Sequence, residues 1–231
     1  MDNSQSPFPL RTVRSFTRRK GRITPRQQAA LAALLSTHHI PLTPGSVINI
    51  DATFQRHAPC FLEIGLGKGE VLIEMAKKHP HANFIGIEVY EAGIGAVLAS
   101  MQEEQLSNIR VIQEDAMVVL RDHIAPQSLA GIHLFFADPW PKKRHHKRRI
   151  VQKEFVELVV NALEPGGYIH MATDWQPYAE HMLEVLTATP ALNNQAKEGG
   201  YIERPATRSV TKFESRGHRL GHGVWDLYFV K

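Results

Sequence analysis

Apolar residues fall along this chain in two alternating patterns. From Phe61 onward, short and nearly continuous apolar runs are separated by stretches whose apolar residues recur every third or fourth position. The first pattern suits strands buried on both faces, the second helices that bury one face. Their alternation predicts βαβ units around a parallel sheet. The expected strands are Phe61 to Ile64, Phe84 to Ile87, Arg110 to Gln113, Gly131 to Phe136 and Tyr168 to Ala172. Val224 to Val230, VWDLYFV, is rich in β-formers and reads as a last strand. Phe155, Leu158, Val159, Ala162 and Leu163 keep helical spacing, and Pro165-Gly166-Gly167 is expected to end that helix. Upstream, Thr24-Pro25-Arg26-Gln27 reads as a helix start, with Thr24 as cap, Pro25 in the first turn and Gln27 completing a capping box. Leu31, Leu34 and Leu35 then supply its apolar face.

Composition narrows the classes. With 231 residues, 43% hydrophobic and 22% charged, the chain has the make-up of an ordinary globular domain, not of a fibrous or wholly disordered one. No apolar run approaches the roughly 18 residues of a membrane helix, and the polar start carries no secretory signal, so a cytoplasmic protein without membrane contact is expected. Cys60 is the only cysteine, which rules out an internal disulfide and a cysteine-based metal site; it opens an apolar run and reads as inert packing. The histidines, apart from the adjacent His145 and His146, are scattered without chelating spacing, so no metal is expected. No repeat or long linker divides the chain. One domain is expected over residues 24–231, preceded by a basic, flexible arm over residues 1–23.

The formal charge of +4 hides a sharp division. The first 26 residues carry a net +6, Lys142 to Arg149 (KKRHHKRR) another +6, and the remaining body −8. An acidic body with two concentrated basic segments is the footprint of a polyanion site.

Acidic residues close the predicted strands in register. Glu63 and the loop Gly65-Leu66-Gly67-Lys68-Gly69 follow or end the first, then come Glu88, Asp115, Asp138 and Asp174 at the next four. Ligands of open α/β sheets bind outside the carboxyl ends of the strands, so these five acids are expected to converge on one site. Gly65, Gly67 and Gly69 allow close backbone approach, and Glu88, 19 residues beyond Gly69, suits ribose hydroxyls. The spacing is G-x-G-x-G, and a carboxylate two residues before the first glycine would repel a pyrophosphate. It suits a cofactor without phosphate that carries an ammonium and a sulfonium, which is S-adenosylmethionine. Asp115 is then placed for the adenine amino group.

Asp138-Pro139-Trp140-Pro141 is followed at once by Lys142, Lys143, Arg144, His145, His146, Lys147, Arg148 and Arg149. Prolines stiffen the strand exit, Trp140 offers a stacking plane, and the cations can meet phosphates. The segment reads as a nucleic-acid grip beside a methyl donor, with Arg144, His145, His146, Lys147, Arg148 and Arg149 as RNA contacts.

These residues resemble the bacterial tRNA (guanine-N7-)-methyltransferases. The similarity runs through Arg14-Ser15-Phe16, Glu63-Ile64-Gly65, Gly86-Ile87-Glu88, Asp138 to His145 and Ala172-Thr173-Asp174-Trp175. It continues through Thr211-Lys212-Phe213-Glu214 to Gly223-Val224-Trp225-Asp226-Leu227. The resemblance implies an α/β, Rossmann-like class I methyltransferase fold: a mostly parallel seven-stranded sheet flanked by helices, with a reversed last strand. It implies methylation of guanine 46 in the tRNA variable loop, with Glu63, Glu88, Asp115 and Asp138 on the cofactor and Asp138 as the catalytic position. Lys142, Asp174, Thr211, Lys212, Phe213 and Glu214 would serve the substrate, which is tRNA, and a monomer or weak homodimer is expected. Ala137 departs from relatives that carry proline there. Two other readings are a non-catalytic RNA-binding protein with a Rossmann-like body and a methyltransferase of exocyclic amines. A nicotinamide dehydrogenase is disfavoured by Glu63 and the glycine spacing.

Overall fold

The computed structural model describes residues 14–17, 21–205, 208, 214 and 223–231. Strands β1 (Cys60–Ile64), β2 (Asn83–Ile87), β3 (Ile109–Ile112), β4 (Leu129–Phe135) and β5 (Leu163–Thr173) run parallel. Strand β7 (Trp225–Val230) enters antiparallel between β5 and the short β6 (Asn193–Asn194). The order β3-β2-β1-β4-β5-β7-β6 makes this the expected mostly parallel seven-stranded sheet with a reversed last strand. Strand order reverses between β1 and β4, and the chain leaves these two strands in opposite directions, which opens a crevice at their carboxyl ends.

Side chains alternate across the sheet, so β1 to β4 feed two cores, one on each face. On one face Leu62, Ile64, Ile85, Ile132, Leu134 and Ile169 meet Val119 of α5 (Ala116–Asp122), Phe155 and Val159 of α6 (Lys153–Ala162), and Tyr178 and Met182 of α7 (Gln176–Thr187). On the other, Phe84, Ile109 and Val111 meet Leu72 and Met75 of α3 (Glu70–Lys78) and Val97 and Leu98 of α4 (Glu91–Glu103). Burial on both faces explains why the strands read as continuous apolar runs.

Helix α1 (Pro25–His38) starts where the sequence places it, with the capping box between Thr24 and Gln27 formed in both directions. It lies on α4: Gln27 Nε2 donates to the Ala92 carbonyl at 3.0 Å, and Leu31, Leu34 and Leu35 pack against the second core. A short helix α2 (Ile50–Phe54), which no sequence signal marked, precedes β1. Cys60 is buried, and desolvation pushes its thiol up to about 12, in keeping with inert packing.

Most strand boundaries shift by one or two residues from expectation, and two of the differences have a structural reason. β5 starts at Leu163, so Pro165-Gly166-Gly167 does not separate helix from strand. Residues 164–167 are instead an excursion between the pairs Leu129↔Leu163 and Gly131↔Tyr168, pinned by Gly166 N to the Lys231 carbonyl and Lys231 N to the Gly167 carbonyl. β4 ends at Phe135, because Phe136 takes a left-handed φ of 54° that no strand continues. No helix among the described residues is long and apolar enough to cross a membrane.

Gly69 caps α3 at φ +73°, and a Cβ there would come 2.3 Å from Val97 Cγ2 on α4. Gly69→Ala is expected to destabilise the protein by about 2–4 kcal/mol, combining backbone strain with overpacking. Adding Val97→Ala should relieve the steric part only, which a denaturant titration of the single and double variants would separate.

Candidate functional site

A cavity of about 510 Å³ occupies the crevice, lined by Glu63, Gly65, Gly67, Glu88, Asp115 and Asp138 among others. Four of the five strand-end acids therefore share one space. Asp174, just past β5, does not line it. Gly69 does not line it either; its freedom from a side chain serves the contact with Val97.

Each acid is held differently. Glu63 lies within β1, not after it, and is 4% exposed; its Oε2 is buried without a hydrogen-bond partner. Desolvation pushes its carboxyl up to about 8. Glu88, just past β2, is the girder of the loop: Oε2 accepts from Gly67 N at 3.0 Å, and Oε1 from Val89 N at 2.8 Å and Tyr90 N at 3.0 Å. Its burial raises the pKa and these three N–H groups pull it back, burial being the stronger. Asp115 caps α5 by accepting from Met117 N at 3.0 Å while also facing the cavity. Gly65 and Gly67 stand at φ +77° and +56°, and a Cβ added at either would meet nothing within 4 Å, so the loop backbone borders open space.

Asp138 is exposed and also lines a second cavity of about 580 Å³, together with Thr17, Tyr90, Pro139, Trp140 and Pro141. Two bulky residues flank it in left-handed conformations, Phe136 at φ 54° and Trp140 at φ 44°. Each such residue costs on the order of 1–3 kcal/mol and persists only where its surroundings impose it.

Residues 14–17 of the arm cross the crevice as a strap. Ser15 and Phe16 line the first cavity and Thr17 the second. Consecutive carbonyls are gripped by side chains: Arg14 O by Arg148 Nε at 3.2 Å, Ser15 O by Trp140 Nε1 at 3.0 Å, Phe16 O by Arg148 Nη2 at 3.3 Å, and Thr17 O by the Tyr90 hydroxyl.

The basic stretch divides into two groups. Lys142, Lys143, Arg144 and Lys147 are exposed, on or beside a 3-10 helix over Lys143–Arg148, with His145 and His146 half-buried. Arg149 is 4% exposed, which removes it from the expected RNA contacts. It donates to the Pro139 carbonyl at 2.9 Å, reaches His146 Nε2 at 3.2 Å and lies 4.9 Å over the Tyr178 ring. Trp140 is not the open plane the sequence suggested, because the Arg148 guanidinium covers its ring at 4.1 Å and His145 meets it edge-on.

Thr211, Lys212 and Phe213 lie outside the described residues. Glu214 is 2% exposed, and its carboxylate receives Arg208 at 2.7 and 3.1 Å. Arg208 also forks onto Asp226 of β7 at 2.7 and 2.8 Å, and His170 Nε2 of β5 meets Asp226 Oδ1 at 2.8 Å. Sequence reasoning missed this buried cluster; its one signal is a histidine and an aspartate at inward positions of otherwise apolar strands. Among the described residues no group of three or more histidine, cysteine, aspartate or glutamate side chains could hold a metal ion.

Comparisons with known proteins agree with this geometry. A family model described as "Putative methyltransferase" matches residues 57–227. The tRNA (guanine-N(7)-)-methyltransferase of Bordetella parapertussis is 52% identical over 219 residues, 95% of this chain and 85% of that one. That of Legionella pneumophila strain Lens is 50% identical over 222 residues, 96% and 99% of the two chains. Among solved structures, the 16S rRNA methyltransferase KamB aligns with a TM-score of 0.56 at 14% identity, covering 78% of this chain and 93% of that one, a likeness of fold.

Because Glu63 keeps its proton in the folded protein up to about pH 8 but only to about 4.5 when unfolded, its contribution to stability is complete below pH 4.5 and lost as pH rises toward 8. Glu63→Gln is expected to melt progressively higher than the parent between pH 5 and 8, each kcal/mol showing as about 2–4 °C in a chain this size. Melting curves across that range that stay parallel would contradict the buried, proton-holding carboxyl.

Proposed function

The chain belongs to the tRNA (guanine-N(7)-)-methyltransferases, S-adenosylmethionine-dependent enzymes, and on that premise we propose that it methylates N7 of guanine 46 in the tRNA variable loop. The observation that carries the site assignment is Asp138, the exposed carboxylate among the residues that border both cavities, which would stand where a cofactor in one faces a base in the other.

The residues present fit the cofactor. Glu63 lines the cavity, has a buried oxygen with no hydrogen-bond partner, and suits an ammonium. The open edge of Gly65 and Gly67 admits a ligand against the backbone, and the acidic lining disfavours a pyrophosphate. Glu88 would accept from the ribose hydroxyls with the lone pairs its backbone bonds leave, and Asp115 from the adenine amine. S-adenosylmethionine, when bound, supplies an electrophilic methyl group on a sulfonium.

Guanine N7 already carries a lone pair, so its attack on that methyl needs no base, and the protein's work is in-line positioning. Asp138 would accept from the N1 and exocyclic amine hydrogens and present N7. The methylated base is cationic, and the carboxylates around it stabilise the charge as it forms. Lys142 and Asp174, on the exits of β4 and β5, would serve the arriving tRNA, and Thr211, Lys212 and Phe213 keep the substrate role the resemblance gives them, whereas Glu214 is buried against Arg208.

With methyl-labelled cofactor and an unmodified tRNA transcript, label should enter the RNA, and borohydride followed by aniline should cut at one variable-loop guanine. Asp138→Asn should slow transfer about a hundredfold while cofactor affinity changes only a few-fold. Label without cleavage would place the methyl on another atom, as an exocyclic-amine enzyme would.

The exposed cations account for phosphate contact. Arg144→Ala with Lys147→Ala should reduce the salt slope of tRNA binding by about 1–2 units. Arg149→Ala should instead lower the melting temperature, since its side chain is buried against Pro139 and Tyr178.

A further inference from the structure

The segment from Phe136 to Trp140 carries Asp138 between two strained aromatic residues, and an arginine rests on each ring. Arg208 lies 5.6 Å from the Phe136 centroid and Arg148 4.1 Å from that of Trp140. Between them Arg149 donates to the Pro139 carbonyl at 2.9 Å. None of the three guanidinium groups is free to choose its place. Arg208 is forked onto Glu214 and Asp226, Arg149 is buried, and Arg148 commits Nε and Nη2 to the strap carbonyls.

A left-handed backbone at a bulky residue relaxes unless something opposes it. The Phe136 N–H is held by the Ala172 carbonyl at 2.8 Å, which fixes one side of that residue; the guanidinium over the ring fixes the other. Cation–aromatic contacts are comparable in strength with the strain they oppose. At Trp140 the indole N–H to Ser15 O adds a second restraint.

We propose that Arg208 and Arg148 are positioning residues which, by clamping the rings of Phe136 and Trp140, hold the left-handed turns on either side of Asp138 and so aim its carboxylate at the target base. The proposal rests on the methyltransferase reading above. It moves Arg148 out of the phosphate-contacting set in which its sequence neighbours place it. A residue that contacts phosphate changes affinity and the number of counterions released, whereas one that aims a carboxylate changes the rate in the bound complex.

The two roles separate in one experiment on the full chain. Single-turnover methyl transfer at saturating cofactor and tRNA is measured beside tRNA Kd at several salt concentrations, for the parent, Arg148→Ala, Arg148→Lys and Phe136→Gly. Arg148→Ala should lose about ten- to a hundredfold in rate with an unchanged salt slope. Arg148→Lys keeps the charge but not the planar contact, and should remain at least about tenfold slow. Phe136→Gly accepts the left-handed turn without strain yet loses the clamped ring, and should be slow with tRNA Kd within about threefold. A salt slope lower by about one unit in Arg148→Ala, or parental rate in Arg148→Lys, would overturn the proposal in favour of a phosphate contact. Parental rate in Phe136→Gly would overturn it for Arg208. Failure of the underlying reading would be distinct, since the parent itself would then transfer no methyl group to tRNA.

Discussion

Parallel pairing in register sets the level at which four strands end. Ile64 stands beside Ile87 on one side and Leu134 on the other, and Ile87 beside Ile112. Because these ends lie level to within one residue, acids just before or shortly after them arrive at similar heights above the sheet. Four carboxyl groups reach one cavity for this reason, although up to 75 residues separate Glu63 from Asp138 in the chain. The glycine loop, the Glu88 girder and the cap at Asp115 refine an arrangement that strand register has already made. A slip of one residue would turn Glu63 to the opposite face, among the leucines and isoleucines of the first core.

Much of this is legible in the sequence. Parallel strands buried on both faces leave continuous apolar runs, and strand-end acids are local to those runs, so fold class and cofactor side follow from short-range pattern. The Thr24 capping box is likewise complete within four residues. Legibility fails where a residue's role depends on distant partners. Arg149 and Lys147 look alike in KKRHHKRR, yet one is buried on Tyr178, 29 positions away in the chain, and the other faces solvent. His170, Arg208, Glu214 and Asp226 form one cluster from three separate segments. Asp174 closes its strand as the other acids close theirs, yet it does not line the cavity, which the local pattern gives no means of telling.

Strain and charge are concentrated together. The left-handed Phe136 and Trp140, the buried guanidinium of Arg208 and the unpartnered oxygen of Glu63 all lie at the carboxyl end of the sheet. The opposite end has left-handed residues too, but they are glutamines, Gln55, Gln105 and Gln127, in the connections leading into β1, β3 and β4. Among the described residues, aromatic side chains are carried on left-handed backbone only beside the site, as expected when a stable sheet supports a site that does not optimise stability.

The proton on Glu63 spares the cavity one buried bare charge. On the cofactor assignment proposed above, an ammonium beside it would stabilise the same group as an anion. Arrival of one cation would then expel another, and binding at neutral pH would hand a proton to the buffer. The heat of that event would contain the buffer's own enthalpy of ionisation.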